Sequence, residues 1–209
     1  MFRSMPDRLR QYWDFDDLEA TERRFRAQLD DEPDDAGRAE VLTQLARVQG
    51  LRGDFDGCER LLAEAEGLAD AGGIAHVRIQ LERGRKLRSS GAVRASLPFF
   101  ESSFEDALAN ELFYLAGDAA HMVAIADPDQ MVGWTERGLA LAATEPDAAY
   151  WAGPLLNNLG WHYFEAGDQE AALAAFERAL ELRERDPANA EAIAFAREAV
   201  ETARQALGR

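Results

Sequence analysis

The chain has 209 residues, and its 23 Lys and Arg against 39 Asp and Glu give a net charge of −16. Apolar residues make up 47%, which is normal for a folded chain and too many for a disordered acidic tail. The negative charge argues against unaided binding to nucleic acid or to an anionic membrane, whose phosphates would repel the protein. One cysteine and three separated histidines exclude a disulfide framework within the chain and a Cys/His zinc cluster.

The N-terminal residues lack the apolar core of a signal peptide. No apolar run approaches the roughly 20 residues that are needed to span a membrane. The sequence therefore predicts a cytoplasmic protein that binds neither membrane nor nucleic acid.

The chain is predicted to be one array, 1–209, of four helix pairs between two single helices. An N-terminal extra helix is assigned to 1–36, with its periodic part at 14–30. A C-terminal capping helix, 188–209, follows a stop at Asp186-Pro187 and covers the apolar face that an end repeat leaves exposed. The helix pairs between them are assigned to 37–75, 76–111, 112–147 and 148–187.

The last pair carries the strongest pattern. Gly167-Asp168 predicts a turn, because glycine takes positive φ readily and aspartate caps the following helix. Gly160 and Ala172 are small, which allows two antiparallel helices to approach closely. Apolar residues at helical spacing fill the seam between the helices: Leu156, Leu159, Tyr163, Phe176 and Leu180.

The same frame recurs upstream with weaker matches, and the third copy is the weakest because Asp118 stands where leucine is expected. The repeats are slightly longer than the minimal unit of about 34 residues. No segment alternates with period two, so no sheet is predicted. The sequence thus predicts an all-α solenoid of about ten antiparallel helices.

Several stretches of the sequence carry a family resemblance. The chain resembles tetratricopeptide-repeat (TPR) proteins over nearly its whole length, and 157–184 is similar to kinesin-light-chain-like repeats. Together with 12–17 and 118–122, the stretch 156–161 further resembles a group of small bacterial TPR proteins. The resemblance implies a right-handed superhelix whose first helices line a concave groove for a peptide or a partner helix. It remains an analogy for function.

In that geometry the basic stretch 76–94 would make one end of the groove positively charged, although the chain as a whole is acidic. Guanidinium groups at helical spacing can bind carboxylates bidentately. One hypothesis is that four arginines anchor an acidic peptide or a C-terminal carboxylate: Arg47, Arg78, Arg85 and Arg88. The alternative is that these arginines pair with acids of neighbouring helices.

A second set of groove candidates lies in the last pair. Asn157 and Asn158 could hydrogen-bond the backbone of an extended ligand, and Trp161 would supply an apolar wall one turn on. Asparagine has poor helix propensity, so two in succession indicate either a ligand or hydrogen bonds between helices.

The sequence offers no convergent catalytic set. Asp118 and His121 could form an Asp–His pair, but no nucleophile in a tight turn accompanies them. Cys58 stands where the repeat requires a small residue, which indicates a packed thiol. We therefore expect that the protein is not an enzyme and that it binds no metal and no cofactor.

The N-terminal segment is rich in aromatic residues, with Phe2, Tyr12, Trp13 and Phe15. Such a segment must dock on the first repeat, where it would block its own groove, or on a second copy. The preferred hypothesis is an interaction module that binds a protein or peptide, with acidic groups, in its groove. The alternative is a homodimeric scaffold whose groove is filled by its own terminus or by a second protomer.

Overall fold

The computed structural model describes residues 7–185 and 190–208. Within this part the chain forms ten α-helices and no strand, which confirms the prediction of an all-α fold. The helices are α1 (Leu18–Asp31), α2 (Asp35–Leu51), α3 (Phe55–Leu68), α4 (Ile74–Ser89), α5 (Val93–Ala109), α6 (Phe113–Ala126), α7 (Met131–Thr144), α8 (Ala152–Glu165), α9 (Gln169–Glu184) and α10 (Ala190–Ala206). Short 3-10 helices occupy Arg10–Tyr12, Pro128–Gln130 and Pro146–Trp151. The predicted stop at Asp186-Pro187 and the aromatic Phe2 lie outside the described residues.

Local sequence signals explain where several helices begin. Four of them follow an aspartate whose carboxylate accepts a hydrogen bond from a main-chain N–H in the first turn: Asp17, Asp34, Asp54 and Asp168. Such a cap contributes about 0.5–2 kcal/mol to helix stability. The turns within three helix pairs contain a glycine at positive φ, namely Gly53, Gly91 and Gly167. The predicted Gly167-Asp168 turn is therefore confirmed.

The N-terminal helix is shorter than predicted. Residues 14–17 are outside α1, because the Asp14 carboxylate accepts hydrogen bonds from the main-chain N–H groups of Asp16 and Asp17. The Asp17 side chain then caps α1 by accepting from the N–H of Ala20. Aspartate side chains that bond the local backbone favour turns and caps over helix interiors, which is why the helix begins at Leu18.

The same kind of close contact, between a glycine and a phenylalanine ring, occurs in two of the helix pairs. A Cβ atom on Gly84 of α4 would lie 2.4 Å from Cε1 of Phe100 on α5, and a Cβ on Gly160 of α8 would lie 2.4 Å from Cε1 of Phe176 on α9. Both rings are buried. The missing side chain lets each phenylalanine lie directly against the neighbouring helix, as the small residue at Gly160 predicts.

The chain divides into two compact units, Met1–Ala119 and Ala120–Arg209. The core of unit 1 combines side chains of α1, α2 and α3 with Leu9 and parts of α4, including Phe25, Leu42, Leu45, Leu62 and Ile79. In unit 2, α10 packs its apolar face on α9, through Ala199, Val200 and Ala203 against Leu173 and Phe176. None of the described helices is long and apolar enough to cross a membrane.

Candidate functional site

In unit 1 the chain's own N-terminal residues cover the faces of α2 and α4 on which the predicted groove residues lie. We name residues 7–13 the strap. The side chains of α2 and α4 that surround it form the α2–α4 surface, which comprises Glu40, Gln44, Arg47, Arg78, Glu82 and Arg85. These side chains recur at intervals of three, four and seven residues, so they share one face of each helix.

The first strap residue forms a buried ion pair with α4. Arg78 Nη2 donates a hydrogen bond of 2.6 Å to Asp7 Oδ1, and the same nitrogen lies 3.5 Å from Glu40 Oε1. The side chains of Arg78 and Asp7 are only 6% and 9% exposed. Because a buried charge is costly without its counter-ion, Asp7 and Glu40 stabilise Arg78 in this position.

Arg85 is held by two other carboxylates. Its guanidinium donates to Glu82, one turn earlier on α4, and to Asp118 on α6. Burial alone would lower the pKa of Arg85, but the Asp118 and Glu82 carboxylates raise it above its ordinary value. This contact accounts for an aspartate at the position where the repeat pattern requires leucine.

Arg47 stacks on the aromatic part of the N-terminal segment. Its guanidinium carbon lies 5.2 Å from the centre of the Trp13 ring and 5.6 Å from that of Phe15, within the range of cation–π attraction. Burial, and then repulsion by the Arg85 guanidinium, lower the pKa of Arg47. Its Nε atom has no hydrogen-bond partner among the described residues.

The end of the strap is fixed by its indole group. The Trp13 Nε1–H donates a hydrogen bond of 2.9 Å to Gln44 Oε1, and the Trp13 ring stacks on Phe15. The sequence alone did not single out Gln44 as a partner of Trp13. A buried amide midway along a helix is the only local signal that could have pointed to it.

The middle of the strap combines an apolar and an ionic contact. Leu9 is fully buried in the core of unit 1. Beside it, Arg8 bridges Glu32 at 2.6 Å and Glu40 at 3.1 Å. Burial opposes ionisation of Glu32, but hydrogen bonds from Arg8 and Gln28 hold the pKa of Glu32 below its ordinary value.

Arg88 differs from the other three predicted anchors. It is partly buried and follows Arg85 by one turn of α4, yet it has no ion pair within residues 7–185 and 190–208. Arg78 and Arg85 make the internal ion pairs that the alternative interpretation of the basic stretch requires. The structure therefore leaves Arg88 with donors available for a ligand, whereas the Nε atom of Arg47 is buried without a hydrogen-bond partner in the described part of the chain, and ligand binding by all four arginines stays a prediction.

Unit 2 holds the other predicted residues. Asn158 Nδ2 lies 2.8 Å from His121 Nε2, which is the inter-helix contact that sequence analysis gave as an alternative to a ligand. Trp161 packs edge-on against Phe164 and Phe176, with ring centres 5.5 and 5.0 Å apart. Asn157 is buried. The contacts order Asn158 and Trp161, whereas Asn157 Oδ1 has no hydrogen-bond partner among the described residues. Binding of a ligand by these three residues remains a prediction.

No group of three or more His, Cys, Asp or Glu side chains that could hold a metal ion occurs in the part of the chain that the structure describes. The ring of His121 lies 5.3 Å from that of Trp151. The hydrogen bond with Asn158 and the contact with the Trp151 ring both help to orient this histidine.

Cys58 should react slowly in the folded protein. The side chain is 1% exposed, and burial raises the pKa of the thiol to about 12. Because the thiolate is the nucleophile, iodoacetamide should label the native chain at least about 100-fold more slowly than the chain unfolded in guanidinium chloride. Mass spectrometry over a time course measures both rates, and equal rates would contradict a packed thiol.

Neither family models nor curated proteins match the chain. Among solved structures it is similar to BtubC (BKLC) from P. vanneervenii, with a TM-score of 0.64 and 18% identity over 91% of this chain and 84% of that one. BtubC is a bacterial kinesin-light-chain-like TPR protein. At this identity the likeness shows the fold alone. The chain therefore has the helical-repeat fold of TPR proteins that its sequence pattern predicts.

Proposed function

We propose that the chain is a non-enzymatic interaction module that binds an acidic segment of a partner protein on the α2–α4 surface and on Arg88, one turn further along α4. The observation that carries this proposal is the strap itself. Seven residues with only one short turn of 3-10 helix are held here by a carboxylate on Arg78 and an indole on Gln44. A surface that holds one peptide segment through side-chain contacts has the chemistry to hold another.

The available donors define the partner's chemistry. Arg88 supplies a guanidinium group without a carboxylate among the described residues, and Arg47 adds a buried Nε–H that has no hydrogen-bond partner there while its guanidinium stacks on Trp13. Guanidinium groups bind carboxylates through paired, charge-assisted hydrogen bonds. The net charge of −16 makes the chain as a whole repel an acidic segment, so the arginines attract it only at close range. Because salt screens such charge interactions, the affinity for an acidic segment should depend on salt concentration.

The binding test uses Arg88 because its replacement breaks no described ion pair. We expect full-length protein to retain acidic peptides on an array, and Arg88→Ala to weaken the best of them by about tenfold, as loss of a charge-assisted contact would. Fluorescence anisotropy of the labelled peptide measures the affinity. Arg60→Ala is the matched control, because Arg60 is an exposed residue of α3. Equal affinities for both variants would overturn the assignment of Arg88.

The second candidate function is a scaffold whose α2–α4 surface is filled by its own terminus. The contacts of Asp7, Leu9 and Trp13 within one chain favour the self-filled form of this hypothesis over a second protomer. A permanent scaffold of this kind predicts that no array peptide binds the full-length chain. A homodimeric scaffold predicts twice the chain mass in light scattering.

A further inference from the structure

We infer that the strap is an exchangeable occupant of the α2–α4 surface, and that the partner segment replaces it with a carboxylate for Asp7 and an apolar side chain for Leu9. This inference rests on the proposed function. It adds that the protein competes with its own ligand, and it specifies which two groups the ligand must supply.

The strap is attached to α2 and α4 by side chains. Its described main-chain hydrogen bonds within the segment are local, from Arg10 to Asp7, from Tyr12 to Leu9 and from Trp13 to Arg10. The hydrogen bonds to α2 and α4 are those of the Asp7, Arg8 and Trp13 side chains. The strap also bonds two other helices, through Arg10 to Tyr114 of α6 and through Tyr12 to Gln28 and Arg24 of α1. A segment held in this way can leave without breaking any main-chain hydrogen bond of α2 or α4.

A fixed turn lies directly after the strap. The Asp14 N–H donates a hydrogen bond of 2.9 Å to Thr21 Oγ1, and the Thr21 hydroxyl donates one of 2.8 Å back to the Asp14 carbonyl. Thr21 is fully buried. Residues 14–21 therefore anchor the strap to α1, so a displaced strap stays tethered. A tethered competitor acts at an effective concentration of the order of millimolar, which keeps the surface closed to weak ligands.

The burial of the strap decides what an incoming segment must offer. Arg78 is buried, so the departure of Asp7 without a replacement carboxylate would remove its 2.6 Å hydrogen-bond acceptor and leave only the longer contact of 3.5 Å with Glu40. Leu9 is fully buried, so its departure would leave a cavity. A carboxylate alone or an apolar side chain alone is thus insufficient, and this double requirement makes the exchange selective.

The test uses the full chain and a labelled synthetic peptide with the sequence of residues 7–17. In the Asp7→Asn chain the strap loses its charge for Arg78, so the peptide should bind it about tenfold more tightly than it binds the unchanged chain. A peptide with asparagine in place of Asp7 should lose this gain. Asp16→Asn is the matched control chain, because this substitution removes the same charge from an exposed residue outside the strap.

Hydrogen exchange gives a second measurement on the unchanged chain, which remains decisive if the Asp7→Asn chain fails to fold. A saturating amount of the peptide should speed the exchange of amides in residues 9–13 and leave those of α3 unaffected. The exchange would be overturned if the peptide bound all three chains with equal affinity, or if the strap amides stayed protected. In that case Arg88-dependent binding of acidic array peptides would persist, and only the exchange would fail. If no acidic peptide binds any chain, the proposed function fails instead.

Discussion

Replacing Arg85 with leucine should destabilise unit 1 by about 3–5 kcal/mol, since it removes the guanidinium group that two buried carboxylates share. Glu82 and Asp118 are 3% and 4% exposed, and both accept hydrogen bonds from the Arg85 guanidinium. Water cannot replace the lost donor at these depths. Denaturant titration followed by circular dichroism measures the loss as a lower unfolding midpoint.

Arg88→Leu is the matched control on the same helix. It removes the same charge and adds the same side chain, but Arg88 has no ion pair in the part of the chain that the structure describes. The free energy of unfolding should therefore change by no more than about 0.5 kcal/mol. Similar losses for both variants would show that the Arg85 ion pairs do not stabilise the fold.

Leu9→Ala should have the second large effect, a loss of about 2–5 kcal/mol, because it opens a cavity in the core of unit 1. The side chain is fully buried although it lies outside the α-helices, directly before the short 3-10 helix Arg10–Tyr12. Leu51→Ala removes the same atoms from a side chain that is 52% exposed and should change the free energy of unfolding by at most about 0.5 kcal/mol.

Thermal unfolding of both leucine variants, with light scattering after size exclusion, separates two roles of the N-terminal segment. If the segment packs within its own chain, Leu9→Ala lowers the melting temperature and leaves the molecular mass unchanged. If Leu9 packs on a second copy, the variant changes from dimer to monomer. An unchanged melting temperature would contradict the burial of Leu9.

Short-range patterns predicted most of the helical fold. Gly167-Asp168 and the Gly160–Phe176 contact lie within one helix pair, and their spacing is directly readable from the chain. Prediction failed where side chains compete with the backbone. Asp14 and Asp17 delay the start of the first helix to Leu18. The 3-10 helix at Pro146–Trp151 lies before α8 and has no apolar period of its own.

The candidate site was only partly predictable for a different reason. Helical spacing placed Arg78 and Arg85 on one face of α4, but their partners Asp7 and Asp118 come from distant parts of the chain. No local period encodes such pairs. The misfit at Asp118 was visible in the sequence, and a charged residue at an apolar repeat position is the signal that a buried counter-ion exists elsewhere.

The paired glycine and phenylalanine of the second and fourth helix pairs also constrain how the sequence can diverge. Since a Cβ on Gly84 or Gly160 would overlap the ring of Phe100 or Phe176, neither glycine can gain a side chain unless its partner loses volume. Homologous sequences should therefore show covariation at these positions, with alanine or serine accompanied by a smaller apolar residue. Such correlated substitutions would identify the helix pairs in homologues whose glycine–aspartate turn motifs are absent.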